Sequence, residues 1–360
     1  MKIAMIGQKG IPSKLSGIEI HIAELSRRLV FLGYEMELYS KTHTFTSTIK
    51  ALMSNCDVFH YHALGPSTLA FIPRIFGKKV VCTVHGLDWQ RGELGRWKSH
   101  YLKFGEYATV RFAHKTINVS KNLVNYYREK YDVKTEYIPN GIERPDILKP
   151  NIIRQKYNLE PESYILFLTR LVPEKGVHYL IDAYKSIATN KKLVIAGEST
   201  HSAHYKNEIQ RMAKNNKNII FTGYVRDQEL AELLSNAYLY VLPSDIEGLS
   251  ISLLEAMSYG NCCLVSDIPE NTDVVSTMGY SFEKANVTDL VSKLNLLLQN
   301  ESKVSSVKRF AGDYIIKKYN WDQITVKTSN IYKSLFNRNK SKKLKAKDAK
   351  NHKTLTSIER

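Results

Sequence analysis

Residues 239–255 read LYVLPSDIEGLSISLLE, an apolar run, a polar break and a second apolar run of different period. Residues 239–242 predict a buried strand, 243–248 a loop and 250–259 a helix closed by Gly260, after which a second apolar strand begins at 262–265. Strand, loop, helix and strand again make a parallel α/β unit. In open α/β sheets, ligands bind beyond the carboxyl ends of the strands, where helix N-termini offer unpaired N–H groups to anions. Glu247 falls in that loop, and Glu255 follows inside the helix. A phosphate on the amides of Leu249, Ser250 and Ile251, with the two carboxylates accepting hydrogen bonds from neutral hydroxyls, uses every part. The spacing therefore points to a ligand that carries both phosphate and sugar.

The same alternation extends in both directions. The opening KIAMIGQKGIPSKLSGIEIHIAELSRRLVFLGYEMELYS is a strand, a Gly-bearing loop, an amphipathic helix with Gly33 as its C-cap, and a strand at 35–39. Further strands are predicted at 58–61, 80–84 and 116–119. The turn-rich segment YIPNGIERPDILKPN, residues 137–151, suits an interdomain connection. A second series follows it, with strands at 164–168, 192–196, 219–222, 238–242 and 262–265 and helices at 177–186 and 228–234. The expected fold class is α/β: two Rossmann-like domains, residues 1–150 and 151–319, facing each other across a cleft, with a C-terminal helix at about 320–337 crossing back to the first. Residues 338–360 lose apolar periodicity and read as a basic, disordered tail.

A length of 360 residues accommodates two cores, and 43% hydrophobic with 24% charged residues is a globular composition. No apolar run approaches the ~18 residues of a membrane span, and no signal peptide is evident at the N-terminus, so the expected location is cytoplasmic. Cys56, Cys82, Cys262 and Cys263 have neither zinc spacing nor a disulfide framework and read as buried thiols. The net charge of +17 is uneven: +9 in residues 1–150, +7 in 338–360 and +1 between them. A basic first half beside a neutral second half suggests separate faces for a donor and for an acceptor or anionic surface. Nucleic acid is not the expected partner, because no nucleic-acid-binding motif accompanies the charge.

Several further segments bear on chemistry. FLTRLVPEKG places Arg170 and Lys175 after the first strand of the second series, FTGYV ends another strand at Gly223, Tyr224 and Val225, and VVCTVHG ends a first-half strand at His85. Together with Glu247 and Glu255 these resemble the motifs of retaining GT-B glycosyltransferases of the family 4, or group 1, type, and the opening of the chain and its HGLDWQRG segment, residues 85–92, look most like bacterial surface-polysaccharide transferases. The Glu-x7-Glu pair matches that family's motif. The Arg and Lys match its Gly-Arg-x4-Lys-Gly signature, with Thr169 where the Gly usually stands.

The resemblance covers residues 1–337. It implies that Arg170 and Lys175 hold the donor diphosphate, that Glu255 accepts the ribose hydroxyls, and that backbone groups of Gly223, Tyr224 and Val225 line the nucleobase. Glu247 and His85 are implied beside the transferred sugar, with the leaving phosphate itself assisting deprotonation of the acceptor. IPSKLSGIEIHIAEL resembles the family's glycine-rich loop, with Ser16 and Gly17 where Gly-Gly is common. Gly17 then either lets the backbone approach the β-phosphate or acceptor, or serves as a helix N-cap. Glu19 and His21 read either as acceptor contacts or, for Glu19, more economically as an exposed helix-start carboxylate favoured by the macrodipole.

The expected activity is transfer of a sugar from a nucleotide-diphosphate sugar to a saccharide or lipid-linked acceptor in cell-surface polysaccharide synthesis, with no cofactor and no metal. A sugar-nucleotide epimerase of similar architecture and a non-catalytic sugar-nucleotide-binding protein remain as alternatives. Residues 91–115 interleave Arg91, Arg96, Lys98, Lys103 and Arg111 with Trp97, Tyr101, Phe104 and Tyr107. That helix reads either as peripheral contact with an anionic membrane surface on the inner face of the cell membrane, or as a core-packing helix with a solvated basic face. The Lys-rich tail could add electrostatic attraction to such a surface.

Overall fold

The computed structural model describes residues 1–8, 17–40, 43–90, 95–199 and 203–336. Ser16, Arg91 and the tail at 338–360, all invoked above, lie outside the described residues. Among the described residues, twelve strands form two all-parallel sheets. The first joins β1 (Lys2–Gln8), β2 (Glu35–Ser40), β3 (Val58–His62), β4 (Lys79–Val84), β5 (Lys115–Asn118) and β6 (Glu136–Tyr137) in the order β2-β1-β3-β4-β5-β6. The second joins β7 (Tyr164–Leu168), β8 (Lys192–Ala196), β9 (Ile219–Gly223), β10 (Leu239–Leu242), β11 (Cys263–Ser266) and β12 (Tyr280–Phe282) in the order β12-β11-β10-β7-β8-β9. The central strands are short, continuous apolar runs because helices cover both faces: every residue of β3, β7 and β10 is buried.

Strand order places the ligand end of each sheet. In the second sheet, β7 pairs with β8 on one side and β10 on the other, so the chain leaves in one direction and returns in the opposite one. The loops after β7 and β10 flank that switch point, where a crevice opens beyond the strand ends. In the first sheet the switch lies between β1 and β3. Strands β6 and β12 are absent from the sequence reading above. They hold two and three residues, too few to display a periodic pattern.

Residues 138–150 lead from β6 to the second sheet, where the Leu148 amide donates to Ser235 Oγ (3.0 Å) and the Asn151 amide to buried Glu232 (2.9 Å). The chain returns at residues 321–336, a helix that buries Trp321, Ile324, Ile331, Tyr332 and Leu335 against Ile3, Met5, Ile22 and Val58 of the first sheet's core. Each such apolar side chain is worth roughly 1.5–3 kcal/mol when fully buried. The return is also pinned by polar contacts: Tyr332 OH lies 2.6 Å from His60 Nδ1, and the Arg28 guanidinium sits 5.1 Å from the centre of the Trp321 ring. Among the described residues, no helix is long and apolar enough to cross a membrane. All four cysteines are free and buried.

Candidate functional site

The loop after β7 carries Arg170 and Lys175, and the loop after β10 carries Glu247. They meet because the backbone closes tightly around Gly176. This residue has φ +67, and a Cβ there would stand 2.0 Å from the Pro243 carbonyl oxygen. The Asp245 amide donates to the Glu174 carbonyl at 2.9 Å, tying one loop to the other. Lys175 and Glu247 form a largely buried ion pair, and Glu247 Oε1 also accepts from Ser244 Oγ at 2.8 Å. The Glu247 loop then touches the first sheet's side. A Cβ on Gly248 would stand 1.8 Å from the His85 carbonyl oxygen, so only glycine permits that approach. The result is a narrow cavity of about 40 Å³ lined by His85, Gly86, Arg170, Lys175, Glu247 and Gly248.

Helix Ile251–Ser258 starts beside this cavity. Ser250 is its N-cap, with Oγ accepting from the Leu253 amide. The first turn is fixed from below, where the buried Tyr240 hydroxyl lies 3.1 Å from the Leu168 carbonyl and 3.0 Å from Ser252 Oγ. Among the described residues, the amides of Leu249, Ser250 and Ile251 find no acceptor, which leaves them for an anion. Glu255 follows one turn later. Its carboxylate has no hydrogen-bond donor among the described residues, and burial pushes its pKa up to about 7. A half-buried, unpartnered carboxylate of this kind gains from a ligand that supplies hydroxyl donors.

His85 belongs to a group of imidazoles at the carboxyl ends of β3 and β4. His62 Nδ1 lies 3.2 Å from His85 Nε2, and His60 stacks on His62 with centroids 4.2 Å apart. His21, from helix Gly17–Phe31, packs edge-on to His85 at 5.0 Å and lies 5.6 Å from the Trp321 ring. Burial drives His21 down to about 4, His60 down to about 3 and His62 well below the usual imidazole range. All three are neutral at physiological pH, so they bring no charge to the cluster. One nitrogen each from His21, His62 and His85 lie within 4.8 Å of one another, which makes this trio the cluster among the described residues that could hold a metal ion.

The profile for glycosyl transferases group 1 matches residues 149–313, and that for glycosyltransferase family 4 matches residues 38–144. This chain is a group 1, family 4 glycosyltransferase. An uncharacterized glycosyltransferase of Methanocaldococcus jannaschii is 26% identical over 92% of this chain and 98% of its own. The D-rhamnosyltransferase WbpZ of Pseudomonas aeruginosa is 27% identical over 73% of this chain and 67% of its own. The fold matches Anabaena HepE, solved in complex with UDP-glucose, with a TM-score of 0.78 at 17% identity, covering 93% of this chain and all of that one. The two-sheet α/β architecture is thus that of the GT-B glycosyltransferases.

The glycosyltransferase brings His85, Arg170, Lys175 and Glu247 together at one cavity, with Leu249, Ser250 and Ile251 at the start of the adjoining helix and Glu255 inside it. Gly17 stands at the start of its helix against the Ile251 side chain, 2.9 Å from where a Cβ would be. Gly223, Tyr224 and Val225 lie apart from these, at the end of edge strand β9. There the Gly223 carbonyl already accepts from the Gly197 amide (2.9 Å) and Thr222 Oγ1 (3.1 Å). That carbonyl already serves the fold.

The expectation that Glu19 is exposed fails: it is 1% exposed, because its side of the helix is covered. His60 and His62 were not singled out from the sequence. Their signal is a pair of histidines two apart in a strand, which fall on one face.

Proposed function

We propose that the protein is a retaining hexosyltransferase that moves a sugar from a nucleotide-diphosphate sugar to a saccharide or lipid-linked acceptor in cell-surface polysaccharide synthesis. The observation that carries this reading is the convergence of two cations, a carboxylate and His85 from the facing sheets on one cavity at a topological switch point. Arg170 and Lys175 offset the charge that gathers on the departing diphosphate, supported by the amides of Leu249, Ser250 and Ile251 and by the close backbone at Gly17. Glu255 accepts the ribose hydroxyls, while the base lies toward Gly223, Tyr224 and Val225, across the ends of β7 and β8. Glu247 and His85 orient the transferred sugar. In this scheme residues 151–319 bind donor and residues 1–150, with the returning helix at 321–336, face the acceptor. The relatives' names support the pathway class, since WclY of Escherichia coli, which this chain also resembles, is an O-antigen biosynthesis glycosyltransferase, and a UDP-glucose complex of HepE supports a nucleotide-sugar donor.

No metal enters the scheme, because Arg170, Lys175 and helix amides do the work of a divalent ion. The protein works in the cytoplasm, at the inner face of the membrane. Helix Arg96–Arg111 supports this, exposing Trp97 (90%), Tyr101 (52%), Phe104 (47%) and Tyr107 (46%) among basic side chains. The test is to incubate the full chain with UDP-, GDP-, dTDP- and ADP-sugars plus saccharide acceptors and to read the products by NMR. Transfer with an unchanged anomeric configuration is expected. Inversion would sink the retaining mechanism, and epimerised donor without transfer would favour an epimerase.

A further inference from the structure

A second, larger cavity of about 260 Å³ lies beside the first, and Glu247 and Leu87 line both. Its walls come from the segment after β4 (Gln90), from helix Lys121–Tyr131 (Asn122, Asn125 and Glu129) and from the second sheet's side (Glu247 and Glu270). Asn122 Nδ2 donates to Glu270 Oε1 at 2.7 Å, so one wall is stapled across the cleft. Burial holds the Glu270 carboxyl above its usual range.

The chemistry of this lining is one-sided. Three carboxylates and three carboxamides surround the space, and no Lys, Arg or His lines it among the described residues. Carboxylates accept hydrogen bonds from hydroxyls and repel anions, and carboxamides do both donor and acceptor work. The space holds about nine waters at ~30 Å³ each, which a single hexose would displace. Resting on the transferase reading above, we propose that this cavity is the acceptor subsite and that it takes one neutral, hydroxyl-rich sugar ring and rejects acidic sugars. The ring's free hydroxyl then lies beside Glu247, where the two cavities meet, on the same face of the donor sugar as the departing diphosphate. Its oxygen forms the new bond to the donor's anomeric carbon as the anomeric carbon–oxygen bond breaks. The diphosphate leaves with that electron pair and takes the acceptor proton. Any phosphate on a lipid-linked acceptor lies outside this cavity.

Saturation-transfer NMR on the full chain with nucleoside diphosphate tests this directly, using methyl glucoside, galactoside, mannoside and N-acetylglucosaminide against methyl glucuronide. At least one neutral glycoside is expected to bind, and the glucuronide is not. Glu129→Ala, an exposed helix-surface change, should weaken the neutral glycoside by about tenfold through one lost charged hydrogen bond. Glu129→Lys should let the glucuronide in. Glucuronide binding equal to the neutral sugars in the wild type, or no neutral glycoside bound, would overturn the proposal. Calorimetric titration of nucleoside diphosphate into the same samples separates the two readings. Nucleotide bound without any sugar sinks the acceptor subsite alone, whereas sugar bound without any nucleotide sinks the transferase reading and leaves a sugar site.

Discussion

Glu255→Gln should stabilise the unliganded protein at alkaline pH while weakening nucleotide binding. The wild-type carboxyl has its pKa raised from 4.5 to about 7 by burial, with no donor to offset it. The folded state therefore holds this proton more tightly than the unfolded chain. Stability from this group is intact below pH 4.5, falls as pH rises through 7, and then stays at its lower level. Linkage puts the penalty at under about 1 kcal/mol at pH 5 and about 3 kcal/mol at pH 8. Glutamine keeps the shape and removes the charge, so most of that penalty disappears. At roughly 2 °C per kcal/mol for a chain of this size, Tm should rise by about 5 °C at pH 8 and by under about 2 °C at pH 5. Differential scanning fluorimetry at both pH values reads this. The same variant should bind nucleoside diphosphate about tenfold more weakly, because a charge-assisted hydrogen bond to a ribose hydroxyl is lost. A Tm that falls at pH 8, or rises equally at both pH values, would refute the reasoning by showing that the carboxylate has a stabilising partner.

Glu247→Ala releases Lys175 from its ion pair, so turnover should fall by about 100-fold or more while nucleoside diphosphate binds at least as tightly as before, measured by steady-state kinetics beside calorimetry. Gly248→Ala sets a Cβ 1.8 Å from the His85 carbonyl oxygen; kcat should drop at least about tenfold from a misplaced cleft, with a wider particle in small-angle scattering. Prolonged dialysis against EDTA should leave transfer intact, and loss restored by Zn²⁺ would instead assign the His21, His62 and His85 trio an essential ion. Trp97→Ala with Phe104→Ala should abolish flotation with anionic vesicles. Unchanged flotation would place any membrane contact elsewhere.

Much of the fold was legible because the central strands are apolar runs punctuated by Gly and Pro, and residues 239–255 show a change of period that only a strand followed by a helix explains. The candidate site was legible where its residues end a strand or open a helix: Arg170, His85, Glu247 and the amides after it. Strand order was not legible, and it is what gathers His21, His62 and His85 from three segments into one cluster. Glu19 was misread for a related reason. A Glu in the first turn of a helix looks the same in sequence whether solvent or the rest of the fold covers it. Strands β6 and β12 take their place from pairing with β5 and β11, not from their own pattern.

The central claim, a nucleotide-diphosphate site formed by Arg170, Lys175 and the helix after Glu247, is tested most directly by titrating UDP, GDP, dTDP and ADP into the full-length protein by calorimetry, with Lys175→Ala alongside. Expected is one-to-one binding of one nucleotide class, lost or weakened at least about tenfold in the variant through a missing charged hydrogen bond. Binding of none of the four, or equal affinity in Lys175→Ala, would contradict it.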